Sequence, residues 1–183
     1  MKFTQDWFTS NIGNFEAAKL VLPDNKRILE IGCFEGRATC WMLQNMLSDD
    51  GEIWCVDTFK GGQEHTELDL SRLRDVFESN VISCQKLNQT IHIQEKESYK
   101  ALSYLIQKEV EFDFIYVDGS HEIQDVITDA CMAFQLLKPG GVMLFDDYEG
   151  TEDMKTAINT FLVTHRHKCK LLTMNYQLAI QKD

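Results

Sequence analysis

Phe114-Ile115-Tyr116-Val117-Asp118-Gly119-Ser120-His121 reads as an unbroken apolar strand that ends in an acid, followed by a turn and a histidine at the start of a helix. Val142-Met143-Leu144-Phe145-Asp146-Asp147 repeats the design further on and ends in two adjacent acids. Apolar runs without alternation mark strands covered by helices on both faces of a parallel sheet. Working outward, strands are expected at 27–31, 52–56, 90–94, 112–117 and 142–145. Helices are expected at 37–47, 70–81, 98–108, 122–137 and 152–164, with Ser98 as a cap and Lys138-Pro139-Gly140-Gly141 stopping the fourth. Two final strands, 170–174 and 177–181, are separated only by Asn175-Tyr176, and so short a link makes an antiparallel hairpin. The fold class is therefore α/β, with a mostly parallel sheet and one reversed strand near the C-terminus.

Composition bounds the function. The chain has 183 residues, which suits a single domain with a sizeable core. Hydrophobic residues at 44% and charged residues at 26% are ordinary for a globular protein. A formal charge of −11 repels a polyphosphate, so no nucleic-acid partner is expected. The six cysteines form no CxxC pair, and several sit among apolar residues, as free thiols in a reducing compartment do. With no signal-peptide pattern and no apolar run near the roughly 20 residues that span a bilayer, no membrane is expected and the location is read as cytoplasmic.

In open α/β sheets ligands bind outside the carboxyl ends of the strands. Asp118, Asp146, Asp147 and His121 would converge at that rim, where three carboxylates raise one another's pKa unless a cation or a proton intervenes. The competing reading has Asp146 and Asp147 splayed apart, one meeting substrate or a helix end and one facing water. Glu30-Ile31-Gly32-Cys33-Phe34-Glu35-Gly36-Arg37 is a strand, a glycine-bearing turn and a helix start. Phe34 replaces the second glycine of the dinucleotide fingerprint, which disfavours NAD and FAD. Asp57 ends the next strand, where an acid can accept both hydroxyls of a ribose or merely serve a turn. Glu30, beneath the loop, suits either a cofactor ammonium or the loop amides.

Ile28 to Arg37, Val56-Asp57-Thr58-Phe59, Tyr116 to His121, Leu137 to Gly141 and Phe145-Asp146-Asp147, in that order, resemble class I S-adenosylmethionine-dependent methyltransferases. The likeness is nearest to the metal-dependent small-molecule O-methyltransferases of the macrolide-sugar and aminocoumarin kind, and more distant to the catechol and caffeoyl-coenzyme A kind. It implies a Rossmann-like three-layer sandwich with a seven-stranded sheet. It also implies that Glu30, Gly32, Cys33, Phe34, Glu35 and Gly36 hold the methionine end of S-adenosylmethionine. Asp57 and Thr58 would meet the ribose, and Glu97 and Ser98 the adenine. Ala38 stands where catechol-type enzymes place a serine on the cofactor carboxylate, so that contact falls to Thr39 or to backbone.

Methyl transfer to a hydroxyl needs the hydroxyl positioned and deprotonated. The resemblance assigns a divalent metal, Mg²⁺, to Asp118, Asp146 and Asp147, and catalysis to Asp118 with His121 as base. His121 as a plain helix-start residue is the alternative. The expected activity is methyl transfer to a hydroxylated small-molecule acceptor. A metal-independent methyltransferase and a non-catalytic cofactor-binding protein are carried beside it, and a dehydrogenase more distantly. The stretch 58–69 is expected to be a lid. Residues 1–22, with Trp7, Phe8, Ile12, Phe15 and Leu20 as an amphipathic helix, would cover the site or form a homo-oligomer contact.

Overall fold

In the computed structural model, which describes all residues except 23, 25, 63 and 64, seven strands form one sheet. They are β1 (Arg27–Ile31), β2 (Glu52–Asp57), β3 (Thr90–Glu95), β4 (Phe112–Val117), β5 (Leu137–Phe145), β6 (Cys169–Met174) and β7 (Leu178–Lys182). The order is β3-β2-β1-β4-β5-β7-β6, with only β7 antiparallel to its neighbours. Six helices accompany them: α1 (Ile12–Val21), α2 (Arg37–Asn45), α3 (Leu73–Cys84), α4 (Ser98–Gln107), α5 (Ile123–Leu136) and α6 (Glu152–His165).

The sheet separates two apolar cores. On one face Leu29, Ile115, Val117 and Phe145 pack against Leu102 of α4, Ala130 of α5 and Phe161 of α6. On the other, Ile28, Phe114, Tyr116 and Leu144 meet Phe15 of α1, Met42 of α2 and Phe77 of α3. Successive strand residues point to opposite faces, and covering both is what makes these strands apolar throughout. The result is a Rossmann-like α/β/α sandwich.

Several boundaries differ from expectation: α3 runs Leu73–Cys84 rather than 70–81, and α2 ends at Asn45 rather than 47. The Lys138-Pro139-Gly140-Gly141 segment belongs to β5 rather than separating it from α5, and the β4 pairing jumps from Phe112–Leu137 to Phe114–Val142 across it. Pro139 has no N–H to donate and Gly140 adopts φ 79°, so the strand bulges there instead of breaking. Glu97, not Ser98, occupies the cap position of α4, and its side chain makes no cap bond. The N-terminal helix begins only at Ile12, after a short 3₁₀ turn at Thr9–Asn11. Phe8 and Phe15 are buried, whereas Trp7 and Leu20 are exposed, so the five residues do not form one stripe.

At α6, Thr151 accepts a hydrogen bond from the Met154 N–H at 3.2 Å and satisfies one orphan donor of the first turn. Thr151→Ala is expected to cost about 1 kcal/mol, read as a lower urea midpoint with an unchanged slope.

Candidate active site

The strand order reverses between β1 and β4, and their carboxyl ends meet there. The Asp118 N–H donates to Ile31 O at 2.8 Å, and the Gly32 N–H to Val56 O at 2.9 Å. A cavity of about 1090 Å³ opens over this crossing. Glu30, Gly32, Phe34, Asp57, Ser98, Asp118, His121, Asp146 and Asp147 all line it.

Gly32 sits at φ 83°, and a Cβ there would lie 1.7 Å from the Asp118 carbonyl oxygen. Phe34 follows at φ 48°, a left-handed conformation that non-glycine residues rarely take. Asp57 holds it: Oδ2 accepts the N–H groups of Cys33 and Phe34 at 2.7 and 2.9 Å, and Oδ1 accepts that of Phe59 at 2.6 Å. A carboxylate has about four acceptor sites, so one remains on Asp57 to face the cavity. Gly36 closes the turn at φ 81° as the cap of α2.

Glu30 lies between Cys55 of β2 and Tyr116 of β4 in register, the one charged group of an otherwise apolar row. It is 1% exposed, and burial pushes its carboxyl up to about 8, despite the Thr39 hydroxyl that donates to Oε2 at 2.5 Å. Oε1 has no hydrogen-bond partner. Glu30 therefore does not bind the loop amides, a task that falls to Asp57.

Two residues expected at the cofactor turn have their side chains engaged elsewhere, although Glu35 still lines the cavity. Thr39 is fully buried with its hydroxyl on Glu30, so it does not stand on the cavity wall. Glu35 spends both carboxylate oxygens on Thr4, accepting its N–H at 2.6 Å and its hydroxyl at 2.8 Å. With Asn80 on Lys2 and Arg37 on the Gln5 carbonyl, this laces residues 1–6 along the rim. Trp7 continues it, with Phe34 and His65 at ring separations of 5.1 and 5.5 Å. Of the expected 58–69 lid, residues 63 and 64 lie outside the described residues, while Thr58, Gly61, Gly62 and His65 line the cavity.

At the opposite rim the structure brings together Asp118, His121 and Asp147, whose ligand atoms lie within 4.8 Å of one another. Asp146 is separated from that group. Its oxygens accept the Tyr116 hydroxyl at 2.7 Å and Gln177 Nε2 at 2.8 Å, and Gln177 in turn accepts from Asn14 of α1. The adjacent acids thus diverge, Asp146 inward and Asp147, at φ 52°, outward. Desolvation raises the Asp118 carboxyl well above its usual range, and the charges of Asp146 and Asp147 add to it. For Asp147 desolvation also acts upward, but hydrogen bonds from His121, at 3.0 Å, and Tyr176 outweigh it and hold the carboxyl low. Proximity and opposed shifts of this kind can serve acid–base chemistry, and structural ion-pair networks produce them too.

Tyr116, Gln177, Tyr176 and Asp129 belong to the site without having been singled out by sequence. Asp129 had a signal: it falls on the buried face of α5 with Val126, Ala130 and Ala133. Tyr176 had none, since a hairpin turn gives no indication of what it will meet.

A methyltransferase-domain family matches residues 29–148, which include the glycine turn, Asp57 and the acidic rim. The fold is that of the class I methyltransferases. The chain belongs to the methyltransferase-domain family.

An uncharacterized protein of Acanthamoeba polyphaga mimivirus is 28% identical over 131 residues, 69% of this chain and 53% of that one, so the chain spans about half the length of this curated relative. Among solved structures, an O-methyltransferase from Bacillus cereus in complex with SAH superposes with TM-score 0.70 at 19% identity, over 98% of this chain and 84% of the other. A TDP-rhamnose 3'-O-methyltransferase of calicheamicin biosynthesis gives 0.63 at 14%, over 94% and 78%. A putative rRNA-methylase from Clostridium thermocellum gives 0.71 at 12%, over 97% and 98%.

Proposed function

We propose that this chain transfers a methyl group from S-adenosylmethionine to a hydroxyl of a small molecule, with Mg²⁺ assisting. The observation that carries the reading is the meeting of the Gly32 turn with Asp118, His121 and Asp147 in one cavity of a methyltransferase-domain chain. The SAH held by the Bacillus cereus relative and the sugar acceptor named for the calicheamicin enzyme support it.

The residues present fit the cofactor. The unpartnered Glu30 Oε1 suits an ammonium, the bare backbone at Gly32 allows close approach, and Asp57 keeps an acceptor for ribose. Bound there, S-adenosylmethionine would supply a methyl already activated on a sulfonium centre. The chain's own residues must then orient the acceptor hydroxyl in line and take its proton.

His121 is the proton acceptor in this reading. Asp147 fixes the ring through the 3.0 Å contact and stabilises the imidazolium that forms. Asp118 and Asp147 offer the hard oxygen ligands Mg²⁺ prefers, while Asp146 stands behind them on Tyr116 and Gln177. The cation would lower the pKa of a bound hydroxyl.

His121→Asn is expected to lower kcat about 100-fold with little change in the affinity for S-adenosylhomocysteine. Unaltered turnover in a methyl-transfer assay sinks the role. EDTA is expected to abolish activity, and added Mg²⁺ to restore it. Activity indifferent to EDTA would select a metal-independent methyltransferase, a reading favoured by the donors that Asp146 and Asp147 already have in Tyr116, Gln177, His121 and Tyr176.

The acceptor is a small hydroxylated molecule rather than nucleic acid, because the net charge of −11 and the acidic rim oppose a polyphosphate. Residues 1–22 serve as its cover in a single-domain chain, supported by Gln5, Asp6, Trp7, Phe8, Ser10 and Asn11 on the cavity wall. No helix among the described residues is long and apolar enough to cross a membrane.

A further inference from the structure

Five buried side-chain atoms among the described residues lack a hydrogen-bond partner, on Glu30, Ser48, Arg74, Asp129 and Thr173. Only those of Glu30 and Asp129 belong to residues lining the cavity. The two lie on opposite faces of the sheet, Glu30 against Thr39 of α2 and Asp129 on α5. An unpartnered buried acceptor is costly, and it points to a donor that arrives with a ligand. A ligand with an amine at one end and a second N–H donor at the other answers both.

We infer that Asp129 selects the 6-amino group of the cofactor's purine, an assignment that rests on the S-adenosylmethionine reading above. Asp129 is 2% exposed. Its Oδ2 lies 3.4 Å from where a Cβ on Gly119 would stand, which puts the carboxylate beside the β4 end. Glu97 and Ser98, at the start of α4, share this part of the wall. The Glu97 carboxylate is occupied by Lys100, leaving Asp129 Oδ1 as the buried carboxylate oxygen there without a partner. Burial pushes its carboxyl up to about 6, against the Ser98 hydroxyl and with help from the Asp125 charge, so at neutral pH it is still an anion.

A 6-aminopurine donates to such a group. A 6-oxopurine turns a carbonyl oxygen toward it, acceptor against acceptor, and is rejected.

The test is calorimetric binding of S-adenosyl-L-homocysteine and its deaminated analogue S-inosyl-L-homocysteine. The wild-type chain should bind the adenosyl compound about 10- to 100-fold more tightly. Asp129→Ala should erase most of that gap by weakening the adenosyl compound alone, and Asp129→Asn, whose amide can donate, should shift preference toward the inosyl compound. Equal wild-type affinities overturn the inference, with no variant needed. So does an Asp129→Ala variant that weakens both ligands by the same factor, the mark of a brace for Ser98. A wild-type chain that binds neither compound removes the cofactor reading and this inference with it, a result distinct from equal binding.

Discussion

Gly32→Ala is expected to cost at least about 4 kcal/mol and to leave a chain that binds no S-adenosylhomocysteine. The new methyl would stand 1.7 Å from the Asp118 carbonyl oxygen and 2.4 Å from its carbonyl carbon. Those are backbone atoms of a central strand end, which cannot swing aside as a long side chain would. The Asp118 N–H is bonded to Ile31 O, so separating the chains breaks the pairing that joins the cofactor turn to the acidic rim. Gly140→Ala is the control. Its φ of 79° is nearly that of Gly32, yet a Cβ there meets nothing within 4 Å. It should lose only the roughly 1–2 kcal/mol of a left-handed alanine. Urea unfolding of both variants separates close approach from backbone strain, and equal losses would refute the crossing described for β1 and β4.

Hydrophobic continuity in 114–117 and 142–145 was enough to announce a covered parallel sheet, and the Asn175-Tyr176 link was enough to reverse its last strand. Those features depend on local pattern and chain length. The segment 138–141 misled because Pro and Gly mark a helix stop and a strand bulge equally well, and only pairing with β4 separates the two. Within the site, Gly32, Asp57, Asp118 and His121 were legible because each follows a strand at the sheet's carboxyl edge. The divergence of Asp146 from Asp147 was not, since it depends on Tyr116, Gln177 and Tyr176, donors brought from a neighbouring strand and a distant hairpin. Asn14 on Gln177 extends the same dependence to the N-terminal helix. Glu35 and Thr39 fell in the right loop, but their partners Thr4 and Glu30 arise from folding of the whole chain.

Glu30→Gln is expected to stabilise the cofactor-free chain at pH 8 by roughly 2–4 kcal/mol while weakening S-adenosylhomocysteine at least about 100-fold. The sign follows from linkage. Burial raises the folded carboxyl from 4.5 to about 8, with the Asp57 charge acting the same way. Between those values the folded state holds a proton that the unfolded state has released, so stability falls as pH rises from about 4.5 towards 8. Below that window the acid is protonated in both states and costs nothing; above it the full penalty of a buried anion applies. Glutamine keeps an acceptor for the Thr39 hydroxyl and has no charge to desolvate, so the gain should vanish near pH 4. Asp118 and Asp146 are raised as well, and so only the difference between wild type and variant at each pH isolates Glu30. Urea midpoints from pH 4 to pH 9 give that difference. With the ligand bound the order should invert, because the carboxylate that weakens the empty fold is the group that faces the ligand's ammonium. A variant no more stable at pH 8 than at pH 4 would show that Glu30 already has a partner in the free chain. A variant that is more stable but binds as tightly as wild type would move the ammonium to another acceptor.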